Sequence, residues 1–124
     1  MNDKKPRILI VEDEFLPAIH LRTVLEREGH EILGPVSTGR DAEALARSGN
    51  PDIILMDIRL AGDEDGIAAA RRIAEFSAAA LIFMSGYQEN IFRERAMELK
   101  PLAFLVKPVL LKDLKAIIDK YPRR

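Results

Sequence analysis

The sequence predicts an α/β protein with a doubly wound parallel sheet, and two observations support this prediction. Short, wholly apolar segments rich in branched residues recur along the chain, as is typical of strands buried on both faces of a sheet. Segments with helical spacing of apolar residues lie between them, so that strand and helix alternate five times without an internal repeat or linker. This alternation favours a parallel sheet that is covered by helices on both faces.

Five segments are predicted to be strands. The second of them is the weakest, because Gly34 and Pro35 interrupt it, and such residues favour the edge of a sheet. The third ends in a charged residue, Asp57, directly before a loop rich in glycine and acidic residues. The predicted strands are Ile8–Val11, Ile32–Val36, Ile53–Asp57, Ala80–Met84 and Ala103–Val106.

Five helices are predicted to follow the strands. Pro17 is tolerated only in the first turn of the first helix, and Gly29 is a natural stop for that helix. Ser37 or Thr38 is placed to cap the second helix, and Asp65 the third. The fourth, near residues 90–98, has only a thin apolar face. The residues expected to face inward are Ala18, Leu21, Leu25, Ala42, Leu45, Ala46, Ile67, Ala70, Ile73, Ala74, Ile91, Ala96, Leu99, Leu114, Ile117, Ile118 and Tyr121.

The composition excludes several classes of function. The formal net charge of −1 gives no field that would attract nucleic acid or an acidic membrane surface. The chain has no cysteine, which excludes disulfides, thiol catalysis and cysteine-ligated zinc. No apolar run approaches the ~18 residues that a membrane-spanning helix needs, and the polar residues 1–7 do not form a signal peptide. We therefore expect one cytoplasmic domain over residues 1–124.

Polar residues follow four of the predicted strands. Glu12 and Asp13 follow the first strand, and Asp57 ends the third. Ser85 follows the fourth strand and Lys107 follows the fifth. Because the carboxyl ends of parallel strands meet at one edge of a sheet, where doubly wound folds bind their ligands, we expect these side chains to form one site.

The residue types at this edge indicate phosphoryl chemistry. Three clustered carboxylates repel one another, and a hard divalent cation removes that conflict; oxygen ligands without histidine or cysteine favour Mg²⁺ over zinc. Lys107 offers a positive charge and Ser85 a hydroxyl donor for a phosphoryl oxygen. Asp57 is therefore the predicted nucleophile, which would form an aspartyl phosphate.

The sequence resembles the receiver domain of two-component response regulators, the family of the chemotaxis response regulator. The resemblance covers residues 7–121 and depends on four strand-end motifs in the right order and spacing. It implies a five-stranded (βα)5 sheet of flavodoxin-like order 2-1-3-4-5. The segments that carry the resemblance are 8–14 (ILIVEDE), 52–60 (DIILMDIRL), 65–67 (DGI), 84–87 (MSGY) and 104–108 (FLVKP).

The resemblance implies roles for the acidic residues. Asp57 corresponds to the phosphoacceptor, and Glu12 and Asp13 to the acidic pair that binds Mg²⁺ or Mn²⁺. Asp57 itself and the backbone carbonyl of Arg59 would complete the metal ligands. The implied activity is acceptance of a phosphoryl group, with weak dephosphorylation of the product, rather than turnover of a metabolite.

The resemblance also implies the parts of a conformational switch. Ser85 and Lys107 correspond to the residues that bind the phosphoryl group after transfer. Phe104 occupies the switch position whose ring turns inward as Ser85 moves toward the phosphate, although an aromatic residue here would belong to the core in any case. The Lys107–Pro108 bond corresponds to a cis peptide, which X–Pro bonds adopt at low cost.

The implied partners are a sensor histidine kinase or histidine phosphotransfer protein, and a downstream protein. The downstream protein would bind a face formed by the fourth helix, fifth strand and fifth helix. The active form would be a monomer or a phosphorylation-dependent dimer, with no nucleic-acid or membrane partner. The residues expected on this face are Asn90, Ile91, Arg93, Glu94, Phe104, Val106, Lys112 and Lys115.

Three positions depart from the family pattern, and other interpretations remain open. Val109 replaces the phenylalanine of many relatives, while Arg59 and Tyr87 are bulky residues near the expected site. A phosphohydrolase would need a second acid at position 59 and a cap insertion, and both are missing. A phosphorylation-independent interaction module is a further alternative. Another is a receiver fragment of a larger transcriptional regulator or hybrid kinase; the ending at residues 122–124 does not distinguish this from the natural stop that we expect.

Overall fold

Strands and helices alternate along the chain in the computed structural model, which describes residues 5–86 and 91–121. Within those ranges, no helix is both long and apolar enough to cross a bilayer. The elements are β1 (Ile8–Val11), α1 (Phe15–Arg27), β2 (Ile32–Val36), α2 (Gly39–Gly49), β3 (Ile53–Asp57), α3 (Gly66–Ala74), β4 (Ala80–Ser85), α4 (Arg93–Met97), β5 (Ala103–Val106) and α5 (Leu111–Asp119).

The strands form one parallel five-stranded sheet in the order β2-β1-β3-β4-β5. This order confirms the predicted fold class, and it places β2 at an edge, as Gly34 and Pro35 indicated. The register between β1 and β2 shifts between Leu9 and Val11. Gly34 is required there, because its φ is +85° and a Cβ would lie 2.7 Å from the carbonyl oxygen of Ile10.

Apolar residues fill the space on both faces of the sheet. Successive strand residues point to opposite faces, so a wholly apolar strand contributes to both cores. One core contains Leu9, Val11, Ile54 and Met56 with the inner faces of α2 and α3, including Ala42, Ala46, Ile67 and Ile73. The other contains Ile8, Ile10, Ile53 and Leu55 with the inner faces of α1 and α5, including Leu25, Leu114 and Ile118.

The predicted helix signals are found at several helix ends. Thr38 caps α2, since its hydroxyl oxygen accepts a hydrogen bond from the Asp41 N–H at 3.1 Å. Asp65 caps α3 in the same way, accepting from the Ala68 N–H at 2.8 Å. The predicted stop of the first helix is confirmed as well: α1 ends at Arg27, and Gly29 follows it with a φ of +98°.

Two of the residues that were expected to face inward do not. Ala74 is the last residue of α3 and is exposed, while Ala69 is buried in the core instead. Ile91 is 80% exposed because α4 starts only at Arg93, so that Ile91 precedes the helix and lies off its inner face. The predictions about Tyr87, Asn90 and residues 122–124 concern residues that lie outside the described ranges.

Candidate functional site

The carboxyl ends of β1, β3, β4 and β5 bring the predicted site residues to one edge of the sheet. Glu12 and Asp13 directly follow β1, and Asp57 is the last residue of β3. Ser85 is the last residue of β4, and Lys107 directly follows β5. Because these strands pair in parallel, their carboxyl ends, and with them all of these positions, lie at the same end of the sheet.

Three carboxylates form an acidic cluster at this edge. Glu12, Asp13 and Asp57 each offer an oxygen, and these oxygens all lie within 4.8 Å of one another. Glu12 and Asp57 are 3% and 1% exposed, whereas Asp13 is open to solvent. Backbone N–H groups orient the two buried acids: that of Glu14 donates to Glu12 Oε2 and that of Arg59 to Asp57 Oδ1, both at 3.1 Å.

The Lys107 ammonium group lies between the two buried acids. Its Nζ is 2.6 Å from Asp57 Oδ2 and 3.0 Å from Glu12 Oε1, and it donates a hydrogen bond to each. A third carboxylate, Glu14, approaches Nζ to 3.8 Å from the solvent side. A buried pair of acids that shares one cation is compensated, which explains how the sheet edge tolerates this much charge.

The pKa values of the three buried or half-buried groups, Asp57, Glu12 and Lys107, are shifted away from their ordinary values. Burial raises the pKa of Asp57 to about 8, and the adjacent Glu12 adds to the rise while Lys107 opposes it. The pKa of Glu12 is lowered, because hydrogen bonds with Asp57, the Glu14 N–H and Lys107 outweigh the effect of its burial. Burial also opposes the charge of Lys107, but its hydrogen bonds to Asp57 and Glu12 prevail and raise its pKa. Of the two buried acids, Asp57 is therefore the one whose charged form is disfavoured.

The donor set of the acidic cluster fits a hard divalent cation. Its three groups are all carboxylates, and they differ in burial, with two buried acids and one that faces solvent. Such oxygen ligands suit Mg²⁺, which binds few protein carboxylates and keeps several waters. Asp13 is the exposed member, so the cluster is open to solvent on that side. The expected fourth ligand, the carbonyl of Arg59, lies in the loop that follows Asp57.

The expected switch residues lie on β4 and β5 and do not belong to the acidic cluster. Ser85 is fully buried; its hydroxyl donates to the Gly86 carbonyl at 2.9 Å, and its own carbonyl accepts from the Lys107 N–H at 2.7 Å. Phe104 is partly buried on β5, with its ring centroid 6.4 Å from that of Phe83. The peptide bond that precedes Pro108 is cis.

Two contacts of the site were not predicted from the sequence. Glu14 approaches Lys107, and its only signal was the run of three acids in which it stands. The guanidinium of Arg93 lies 4.9 Å from the centroid of the Phe104 ring, a cation–π contact. No pattern in the sequence connects those two residues, because they lie on different elements, α4 and β5.

The match to a family model agrees with this geometry. A model described as the response regulator receiver domain matches residues 8–119, which include all of the site residues discussed above. The chain is also similar to solved structures. One is the signal receiver domain of a modulated diguanylate cyclase from Desulfovibrio desulfuricans G20, with 37% identity, a TM-score of 0.87, and coverage of 94% of this chain and 93% of that one.

Curated relatives include regulators of different length. The transcriptional regulatory protein PdtaR of Mycobacterium tuberculosis is 36% identical over 113 residues, which are 91% of this chain and 55% of PdtaR. Protein PilH of Pseudomonas aeruginosa is 34% identical over 119 residues, covering 90% of this chain and 97% of PilH. The chain thus spans about half of PdtaR but nearly all of PilH. From the family match and these relatives we conclude that the chain belongs to the family of response regulator receiver domains of two-component signalling.

Proposed function

We propose that Asp57 is the phosphoacceptor of this receiver domain. It would take a phosphoryl group from a phosphohistidine on a sensor histidine kinase or a histidine phosphotransfer protein. The observation that carries the proposal is the position of the Lys107 ammonium, which contacts Asp57 at 2.6 Å and Glu12 at 3.0 Å within a cluster of three acids. A carboxylate nucleophile, a cation and further oxygen ligands are the groups that phosphoryl transfer requires.

In the transfer step, a carboxylate oxygen of Asp57 attacks the phosphorus atom of the phosphohistidine. A new P–O bond forms as the P–N bond to the imidazole breaks, and the imidazole nitrogen leaves with the electron pair. The attack needs ionised Asp57, so the proton that burial favours on this group must be absent. Before transfer, the hydrogen bond from Lys107 favours the ionised form of Asp57. After transfer, Lys107 would pair with the phosphoryl oxygens.

Glu12, Asp13, Asp57 and the Arg59 carbonyl would hold Mg²⁺ or Mn²⁺ beside the nucleophile. When bound, the cation supplies positive charge that favours ionised Asp57 and offsets the charge on the transferring phosphoryl oxygens. The three carboxylates support this assignment because their oxygens lie within 4.8 Å of one another. We infer that transfer depends on the divalent cation for this reason.

The phosphoryl group would then act as a switch. Ser85 would donate its hydroxyl to a phosphoryl oxygen instead of the Gly86 carbonyl, and Phe104 would turn inward behind it. Moving a two-state equilibrium from 1:99 to 99:1 requires about 5.5 kcal/mol of differential stabilisation. One charged, hydrogen-bonded phosphoryl group is a plausible source of that free energy.

The output of this switch would be contact with a downstream protein through α4, β5 and α5. Val106 on β5 is 47% exposed and Ile91, two residues before α4, is 80% exposed, so apolar side chains are available to a partner there. We infer that residues 1–124 act in the cytoplasm as one receiver domain, monomeric or dimerising on phosphorylation, and without a nucleic-acid or membrane partner. Receiver domains are signalling modules rather than metabolic enzymes.

Intact mass spectrometry tests the proposal. The wild type is incubated with acetyl phosphate in the presence of Mg²⁺ or of EDTA, beside an Asp57→Asn variant. Asp63→Asn is a matched control, because Asp63 is an exposed carboxylate six residues along the same loop region and lies outside the acidic cluster. We expect the wild type and Asp63→Asn to gain one phosphoryl group with Mg²⁺, and Asp57→Asn to gain none.

Two outcomes would contradict the proposal. An equal mass gain in Asp57→Asn would place the phosphoryl group on another residue. A wild type that gains nothing, from acetyl phosphate or from a phosphohistidine donor protein, would favour a phosphorylation-independent interaction module instead.

A further inference from the structure

The loop between β3 and α3, residues 58–65, connects Asp57 to α3 and contains Arg59, whose carbonyl is expected to bind the metal. A cavity of about 440 Å³ lies between this loop and the start of α2. It is lined by Thr38, Gly39 and Arg40 on one side and by residues 61–64 on the other.

The start of the loop is held by the apolar core, because Ile58 is fully buried and Leu60 packs against the same cluster. Backbone hydrogen bonds of Ile58, with the Met84 carbonyl at 3.0 Å and the Gly66 N–H at 2.7 Å, also hold the start of the loop. Residues 61–64 border the cavity instead, so polar contacts have to determine the position of that second part.

Two further sets of polar contacts hold residues 61–64. The Ala61 N–H donates to the Ser37 carbonyl at 3.1 Å, next to an isolated parallel bridge between Ala61 and Thr38. Further along, the Arg72 guanidinium binds both carboxylate oxygens of Glu64; Nη2 lies 2.7 Å from Oε1, and Nη1 donates to Oε2. Such a two-point contact fixes orientation as well as distance.

Arg72 is itself held in place from a second helix. Its Nε donates to Glu43 Oε1 on α2 at 2.8 Å, so the guanidinium connects α2, α3 and the loop. The hydrogen bond from Arg72 holds the pKa of Glu64 below its usual range, and the same is true of Glu43. All three groups are therefore charged at neutral pH. Arg72 and Glu64 are 33% and 27% exposed, which limits the screening of their contact by water.

Gly39 provides the space that Glu64 occupies. A Cβ at this position would collide with Glu64 Oε1 and would lie 2.9 Å from the Ala69 Cβ. Gly39 is buried at the first turn of α2, where an ordinary side chain would displace Glu64 from Arg72. The contact between Glu64 and Arg72 thus depends on residues of three separate elements.

We propose that Arg72 is a positioning residue for the metal site: by fixing Glu64 it holds the β3–α3 loop where the Arg59 carbonyl can reach a divalent cation bound at Asp57. This inference rests on the proposed phosphoacceptor function. Arg72 does not contact the reacting atoms, and its effect passes through the backbone of residues 59–64.

The test is Mn²⁺ binding to the unphosphorylated protein, measured from the electron paramagnetic resonance signal of free Mn²⁺. The variants are Arg72→Met, Glu64→Gln and Gly39→Ala. Arg71→Met is the matched control, because it removes the same charge from the neighbouring residue of α3, which contacts Glu98 rather than the loop. We expect each of the three variants to raise the Kd for Mn²⁺ by roughly 10-fold, and Arg71→Met to leave it unchanged.

Simple electrostatics predicts a different pattern. Removing the positive charge of Arg72 would tighten cation binding, whereas removing the negative charge of Glu64 would weaken it. A positioning role predicts weaker Mn²⁺ binding in both variants. It also predicts that the double variant binds Mn²⁺ no more weakly than either single variant, since both substitutions break the same contact. Circular dichroism verifies that the variants fold, and Glu64→Gln leaves the contact between Arg72 and Glu43 intact.

Each outcome is informative. Wild-type affinity in Arg72→Met, or opposite effects of Arg72→Met and Glu64→Gln, would overturn the positioning role while leaving the proposed function untouched. A wild type that binds no Mn²⁺ would overturn the proposed metal site itself and the role of Arg72 with it.

Discussion

Asp57 combines deep burial with a close cation and a neighbouring acid, and these features act on its charge in opposite directions. Burial and Glu12 favour the protonated form, while Lys107 at 2.6 Å favours the ionised form. The first influence prevails and raises the pKa to about 8. A group with this environment is poised to lose its proton when positive charge is added beside it, which is what a phosphoacceptor that depends on a divalent cation needs.

The raised pKa of Asp57 predicts a stability that depends on pH in the absence of divalent cations. Between the ordinary pKa of 3.8 and the folded value of about 8, the folded state holds a proton that the unfolded state has lost. The free energy of unfolding therefore falls as pH rises through this window. Asp57→Asn cannot titrate, so we expect its stability relative to wild type to improve between pH 4 and pH 8 by at least about 1 kcal/mol, since one pKa unit corresponds to about 1.4 kcal/mol.

Urea unfolding in EDTA at several pH values provides this measurement. Asp63→Asn serves as the control, and its stability relative to wild type should not vary over the same range. A difference between Asp57→Asn and wild type that stays constant from pH 4 to pH 8 would contradict the protonation assigned to Asp57.

At the scale of single elements, local sequence patterns were sufficient for the strands and the helix caps. Apolar runs defined all five strands, Asp65 caps α3 as expected, and Thr38, one of the two expected candidates, caps α2. Burial at helix ends was less predictable. Ala74 and Ile91 fit a helical period, but their helices end or begin so that neither residue reaches the core.

Contacts between distant elements could not be predicted from the sequence. The strand-end residues were an exception, because parallel strands bring their carboxyl ends together whatever the side chains are. Arg72 and Glu43 are 29 positions apart and meet only because α2 and α3 pack side by side. No periodicity or motif marks such a pair, and the same holds for Arg93 above Phe104.

The junction between β3 and α3 makes a specific prediction about Gly66. A Cβ on Gly66 would collide with the Asp57 carbonyl oxygen and lie 2.9 Å from Met56 Cγ. Neither atom can move far, because Asp57 and Met56 belong to a central strand and are buried. We expect Gly66→Ala to lower the free energy of unfolding by about 3 kcal/mol and to disturb the position of Asp57.

Gly62→Ala is the comparison for that prediction, with urea unfolding as the measurement for both. A Cβ on Gly62 meets nothing within 4 Å, but its φ of +96° strains an alanine, at a cost of about 1–2 kcal/mol. Gly66→Ala should therefore be the more damaging substitution. Equal losses in the two variants would show that close packing at Gly66 is not the determining factor.

At the scale of the whole molecule, the sheet connects the proposed acceptor site to a separate surface. Ser85 pairs with Val106 in the register of β4 and β5, one position beyond the pair formed by Met84 and Leu105. Ser85 thus lies directly beside β5. This strand contains Phe104, and its Val106 contributes exposed apolar surface. We infer that this adjacency is the route from phosphorylation to partner binding.

The most direct test of the central claim is to locate the phosphoryl group chemically. Protein phosphorylated with acetyl phosphate and Mg²⁺ is reduced with borohydride, which converts an aspartyl phosphate to homoserine, and its peptides are sequenced by tandem mass spectrometry. We expect homoserine at position 57 only, and only in samples that contained Mg²⁺. Homoserine at another acid such as Asp13, or at no position in a protein that has gained phosphate, would contradict the assignment of Asp57 as the phosphoacceptor.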